Sequence, residues 1–382
     1  MQLETVQYHL GSGWSGPLPV ALDSPSTLVL AFGARRLADD PAPFKALIDA
    51  FPNSVLIGCS TAGEIAGDSV SDDSVTVAVA RFQYTRLRLA CAEIGHADQS
   101  EASGRALGAE LAANDLRAVF LLSDGLHVNG TLLTQGLNAA VASSVVVSGG
   151  LAGDNDRFEK TWIMARGELA DQRVCALGLY GDALQVGYGC EGGWSSFGPE
   201  RRITRAAGNV LYQLDDKPAL DLYKEYLGQR AADLPAAALL FPLSVKRGVA
   251  AESGVVRTIL GIDEASKSMT FAGDIPEHGT ARLMRANNDR LIESASAAAR
   301  QAMLGVAASQ ALVISVSCVG RRLVLGEHTD EELEAVGDVL PKAAVQIGFY
   351  SYGEISPAQP SGISALHNQT MTVTIFSEMP PP

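Results

Sequence analysis

Positive charge is in short supply here: 29 Lys and Arg stand against 43 Asp and Glu, a formal net charge of −14 at pH 7. That balance argues against nucleic acid or an anionic membrane as the main partner, because the mean field of the chain repels both. Cysteine is sparse and unpatterned. The five residues Cys59, Cys91, Cys175, Cys190 and Cys318 are odd in number and form no Cys-x2-Cys pair. A structural zinc site or a disulfide scaffold is therefore not expected, and the thiols are expected to be reduced, in a cytoplasmic protein. No apolar run reaches the ~18 residues that a membrane helix needs. The N-terminal stretch also lacks a basic segment followed by an apolar one, so no secretory leader is expected. His-Glu-x-x-His, Gly-x-Ser-x-Gly and Asp-rich metal loops are missing. No catalytic or metal-binding residue is assigned, and binding is expected in preference to turnover.

What is present describes a packed globular chain. Its 382 residues are 47% hydrophobic and 19% charged, far from disordered compositions, and the length favours two domains. Apolar runs read as strands at 27–33, 53–58, 117–123, 144–148, 311–317 and 345–350, those at 27–33 and 311–317 as buried ones. The segment 74–82 alternates in the period of a strand, with Val75, Val77 and Val79 on one face. Helical spacing appears at 43–51, 100–114, 130–142, 214–227, 288–303 and 330–340. Strands also follow one another without helices at 161–181 and 184–190, which excludes a simple doubly wound parallel sheet. The expected class is α/β of the mixed, layered α+β kind: two related domains, residues 27–228 and 229–378, with mixed or antiparallel sheets and covering helices. Residues 237–243 read as a strand, Gly187 to Trp194 as a turn between strands, Arg201, Arg202 and Arg205 as a loop-to-helix junction, and 380–382 as a loose tail.

One device occurs twice. Gly58-Cys-Ser-Thr-Ala-Gly63-Glu64-Ile65 and Gly348-Phe-Tyr-Ser-Tyr-Gly353-Glu354-Ile355 share the form Gly-x4-Gly-Glu-Ile, each after an apolar run. If Gly63 and Gly353 take positive φ, the turn can aim backbone N–H groups and a carboxylate at a ligand. Glu64 or Glu354 would then meet an ammonium group, and Arg321, with its fork of donors, a carboxylate. The alternative is that each glutamate fastens its own turn, with Arg321 pairing to one of them. Asp124 and His127 either line the pocket or cap a helix. Cys59 and Cys318 end strands where a nucleophile could sit, but no histidine is near either in sequence. His367, before the last strand, is a candidate ligand contact, which leaves haem open as a cofactor although none is otherwise implied.

These segments, together with Val147-Ser-Gly-Gly, the run from Gly208-Asn-Val-Leu-Tyr to Leu227, and Ser317-Cys-Val-Gly-Arg321, resemble the FIST family over roughly residues 27–375. The resemblance implies an N-terminal and a C-terminal FIST domain and a sensory role: binding of a small polar ligand such as an amino acid. Members occur alone or beside histidine-kinase, cyclic-dinucleotide or chemoreceptor-type output modules, and some resemble haem-dependent nitric-oxide sensors. An output module is not recognised in this chain, so a separate signalling partner such as a histidine kinase is expected. By the same resemblance Gly58, Gly63, Glu64, Arg321, Gly353 and Glu354 are candidate ligand-binding residues. A haem-binding gas sensor and a cysteine-dependent amide or thioester hydrolase are the alternative functions.

Overall fold

The computed structural model describes residues 1–234, 236–248, 254–307, 310–358 and 361–380; residues 381–382 of the expected loose tail lie outside the described residues. Seven helices are present among the described residues: α1 (Ala42–Ala50), α2 (Ser100–Leu111), α3 (Gly130–Ala140), α4 (Ala219–Leu227), α5 (Asn288–Met303), α6 (Val319–Leu325) and α7 (Thr329–Gly337). They cover mixed and antiparallel sheets, the mixed α/β architecture expected from the sequence.

The repeat read twice in the sequence is present three times in the structure. Each unit contains an edge strand, an inner strand, a helix, a motif strand parallel to the inner one, a short hairpin, and a return strand. In the first unit these strands are Gln2–His9, Thr27–Ala34, Val55–Thr61, the hairpin Glu64–Ala66 with Ser69–Ser71, and Ser74–Arg81. In the second they are Arg86–Glu93, Leu116–Ser123, Val146–Leu151, the hairpin Ile163–Ala165 with Glu168–Ala170, and Arg173–Tyr180. The third has Leu184–Glu191, Leu312–Cys318, Val345–Ser351, the hairpin Gly353–Pro357 with Ser364–His367, and Met371–Glu378. All three sheets run hairpin, motif, inner, return, edge in the same order.

The hairpins do not stay at home. That of the first unit pairs with the motif strand of the third, that of the third with the second, and that of the second with the first. The exchange closes on itself, so each sheet is completed by another unit, and segments on both sides of residue 228 share sheets.

Sequence explains why the inner strands sit at the centre. They are apolar on both faces, as strands buried on both sides are. Leu28, Leu30 and Phe32, Ala118, Phe120 and Leu122, and Leu312, Ile314 and Val316 turn one face into a single shared core. The opposite faces receive the helices: Val29 and Ala31 meet Phe44 and Leu47 of α1, while Val119 and Leu121 pack in one cluster with Leu107 of α2 and Leu137 of α3. The first motif glycine has a steric cause that recurs. A Cβ on Gly58, Gly149 or Gly348 would overlap the carbonyl oxygen of Ala31, Leu121 or Ser315 on the paired inner strand.

An eight-stranded antiparallel sheet with α4 is inserted into the third unit between its edge strand and α5, and it carries its own core around Leu211, Tyr223, Phe271 and Leu283. Several local expectations are corrected here. Arg201, Arg202 and Arg205 lie on a strand, Ser195–Ala207, where Asp215 and Tyr226 hold Arg201. Gly187 and Gly189 lie within the edge strand, because a Cβ on either would strike the backbone of α5 at Ala302 or Ala298. Residues 214–227 are helical only from Ala219, with Pro218 as N-cap, since Leu214 is drawn into the inserted sheet. The strand expected at 237–243 is a 3-10 turn at Ala236–Leu240 followed by the strand Leu243–Lys246. The expectation of five reduced thiols is corrected as well: Cys91 and Cys175, directly opposite on antiparallel strands with Cα atoms 4.2 Å apart, form a disulfide.

Candidate functional site

The two Gly-Glu turns are built alike. Glu64 accepts from the Thr61 hydroxyl, from Ser74 N at 3.1 Å and from Ser74 Oγ at 2.7 Å. Glu354 accepts from Ser351 Oγ at 2.7 Å, Thr370 N at 3.1 Å and Thr370 Oγ1 at 2.9 Å. In both, a hydroxyl three residues upstream and a residue at or just before the return strand, Ser74 or Thr370, clasp the carboxyl. Both groups are sealed, at 1% and 0% exposure. Burial outweighs the hydrogen bonds and pushes Glu64 up to about 8 and Glu354 up to about 7. The glutamates therefore fasten their own turns. They sit on different sheets, Glu64 opposite Phe349 and Glu354 opposite Gly150.

Gly63 does take positive φ, at 134°, under the Arg322 guanidinium. Gly353 lies in a strand without positive φ, where a Cβ would meet the methyl ends of Leu366 and Leu151. In the second unit Gly149-Gly-Leu-Ala-Gly153-Asp154 occupies the equivalent turn, one residue shorter. Its carboxylate, 1% exposed, accepts from Arg157 Nε at 3.0 Å and Lys160 N at 3.3 Å.

Arg321 faces the protein interior instead of a ligand. At 0% exposure it meets Glu332 Oε2 through Nη2 (2.6 Å) and Nε (3.1 Å), and donates to the carbonyls of Gly192 (2.7 Å) and Leu291 (2.9 Å). Glu332 also accepts from Ser317 Oγ at 3.0 Å and Tyr350 OH at 2.6 Å. The guanidinium joins α5, α6 and α7 instead of Glu64 or Glu354. Glu332 carried no signal in the sequence beyond its place on an amphipathic helix.

His367 donates Nε2–H to the Ser356 carbonyl at 3.0 Å, and burial pulls its imidazole down to about 4. Asp124 is fully buried, accepting from the amides of Leu126 (2.8 Å) and His127 (2.7 Å) and from Thr161 Oγ1 (2.9 Å). Asn129 caps α3, accepting from Leu132 N at 3.1 Å. The thiols run opposite to what a nucleophile needs. Burial raises Cys59 and Cys318 and pushes Cys190 up to about 12, where activation requires a depressed value.

Open space lies two residues before each glutamate. Beside Ala62 of the first turn is a cavity of about 520 Å³, where Arg322 is already held by Ala62 O at 2.6 Å and by both oxygens of Asp72 at 2.9 and 2.7 Å. Beside the equivalent Tyr352 is a narrower cavity of about 260 Å³. Its walls come from three places: Gly125, Leu126, Val128 and Asn129 of the second unit, Tyr352 of the third, and Asn209 and Phe271 to Gly273 of the inserted sheet. Phe158 stacks on Tyr352 with ring centroids 4.3 Å apart and donates its amide to the Tyr352 hydroxyl at 3.1 Å. Sequence reasoning placed a pocket near this turn but not the aromatic pair or the inserted wall, whose residues lie far apart along the chain.

The three α/β units form a closed, strand-exchanged set, with cavities where one unit's motif turn meets another's strand–helix loop. Family models match the chain in two parts: the FIST N domain covers residues 27–217 and the FIST C domain residues 219–357. The chain belongs to the FIST family, whose domains are regarded as small-ligand sensory modules. An uncharacterized protein of Methanocaldococcus jannaschii is 28% identical over 196 residues, a match covering 47% of this chain and 36% of that protein. No helix among the described residues is long and apolar enough to cross a membrane.

Proposed function

We propose that the chain is a sensory protein that binds a small polar metabolite of the amino-acid kind in the cavity beside Tyr352 and signals its presence to a separate output protein such as a histidine kinase. The observation that carries this reading is the composition of the cavity wall: two repeat units and the inserted sheet each supply part of it. A ligand there touches three bodies at once, so its binding energy favours one seating of the inserted sheet over others, which is what a sensor requires. At about 260 Å³ the cavity is smaller than the ~300–1,000 Å³ of drug-sized sites, which suits a metabolite. The stacked Phe158–Tyr352 pair offers an apolar face, and Asn209, whose Nδ2 donates to the Phe271 carbonyl, leaves its amide oxygen to accept from a ligand.

Calorimetric titration of the purified protein with the common amino acids and related small metabolites tests this. Saturable binding of one ligand class is expected, weakened about tenfold or more in Tyr352→Ala through loss of the stacking wall. Absence of heat across the panel, or unchanged affinity in a folded Tyr352→Ala, overturns it.

A further inference from the structure

A second and larger cleft, of about 760 Å³, runs between the inserted sheet and the first turn of α3, lined among others by Thr131, Lys246, Arg247, Arg257, Asp274 and His278. We propose that it binds the phosphate group of a small phosphorylated molecule, with Arg257 as its principal donor.

Arg257 is 6% exposed, yet no carboxylate among the described residues lies within ion-pair distance of it. Its hydrogen bonds go to carbonyls: Nε to Asp274 O at 3.4 Å, and Nη1 to Leu366 O at 3.1 Å and Val256 O at 3.5 Å. Nη2 has no acceptor among the described residues, and the residue lines the cleft. Burial pulls the guanidinium down to about 10, so it stays charged at neutral pH. A buried cation is costly to maintain; Asp274 offsets part of this cost from beyond ion-pair distance while Arg247 adds to it, and a bound anion would offset the rest.

The surroundings favour an anion. Among the described lining residues three cations, Lys246, Arg247 and Arg257, face two acids, Asp274 and Glu277; Lys246 stands 4.0 Å from Glu200, which leaves Arg247 and Arg257 as the cations not in an ion pair with a described residue. Both acids are already engaged, Asp274 Oδ1 by Asn129 Nδ2 at 3.0 Å and Glu277 Oε1 by Ala206 N at 3.4 Å. Thr131 brings the positive end of the eleven-residue helix α3 to the same wall.

Donor number and charge favour phosphate over carboxylate. Arginine forks grip both anions two-pronged, and with Nε and Nη1 committed to carbonyls Arg257 keeps one free nitrogen, Nη2. Phosphate, with up to two charges and three oxygens, can also draw on Arg247, Lys246 and His278 of the same lining, whereas a carboxylate has two oxygens and one charge. The cleft is far roomier than an inorganic phosphate needs, which calls for an organic body attached to it.

The test is calorimetry on the full chain at constant ionic strength with inorganic phosphate, glucose 6-phosphate and acetate. Saturable binding of phosphate is expected, with the sugar phosphate at least as tight and acetate silent. Arg257→Gln should weaken it about tenfold or more, and Lys246→Gln with Arg247→Gln several-fold. No phosphate binding, acetate binding equal to phosphate, or exclusion of the sugar phosphate overturns the proposal. So does unchanged affinity in folded Arg257→Gln or, if that variant fails to fold, in the surface double variant. Amino-acid binding beside Tyr352 is read independently and stands whichever way this falls.

Discussion

Replacing Arg321 with alanine separates a structural role from a ligand-binding one. The guanidinium is completely buried and holds Glu332 while donating to the carbonyls of Gly192 and Leu291. Removing it leaves the Glu332 carboxylate in the interior with only the hydroxyls of Ser317 and Tyr350. Breaking a buried pair from one side costs about 3–5 kcal/mol, a large part of the ~5–15 kcal/mol by which domains are stable. Urea denaturation followed by tryptophan fluorescence should show that loss, and Trp194 packs against Leu291 close to the change. Adding Glu332→Gln to Arg321→Met removes the stranded charge and should recover part of the stability. An Arg321→Ala protein with a wild-type urea midpoint that no longer binds ligand would refute this reasoning and make Arg321 a ligand contact.

Three further outcomes follow from the same structure. Burial raises the folded-state values of Glu64 and Glu354 to about 8 and about 7, so the native chain holds protons that the unfolded chain has released. Stability should therefore fall as pH rises from about 4.5 to 8, and Glu64→Gln should flatten that slope in urea midpoints measured between pH 5 and 8; an unchanged slope would contradict the assignment. Gly149→Ala should destabilise by about 1–3 kcal/mol or more through overlap with Leu121, whereas Gly337→Ala, which meets open space at the end of α7, should be neutral or slightly stabilising in thermal melts. Thiol titration in denaturant should count three free cysteines without reductant and five after reduction, since Cys91 and Cys175 are joined; five at the outset would contradict the disulfide.

Much of the body was legible in the sequence, for physical reasons. The inner strands are buried on both faces, so they read as continuous apolar runs, and both long Gly-x4-Gly-Glu-Ile motifs stood out. The third copy was visible as Gly149-Gly-Leu-Ala-Gly153-Asp154 but one residue short and with aspartate for glutamate, so spacing alone did not align it. The cyclic exchange of hairpins left no local mark, because pairing partners such as Ile65 and Gly348 are distant in the chain. The site was half legible. The turns were identified, yet a buried carboxyl that fastens its own loop has the same residue pattern as one that faces a ligand. The distinction between Glu64 clasped by Ser74 and Tyr352 standing at an open wall arises only in the fold. Arg257 gave no signal, since its neighbours come from the inserted sheet, α3 and the third hairpin.

The most direct test of ligand sensing is a crystal structure of the chain with the tightest ligand from the calorimetric panel. Density is expected between the Phe158–Tyr352 pair and Asn209, with Arg321 still on Glu332. Density against Arg321 or the Glu64 and Glu354 carboxyls, with the Tyr352 cavity left empty, would contradict the account.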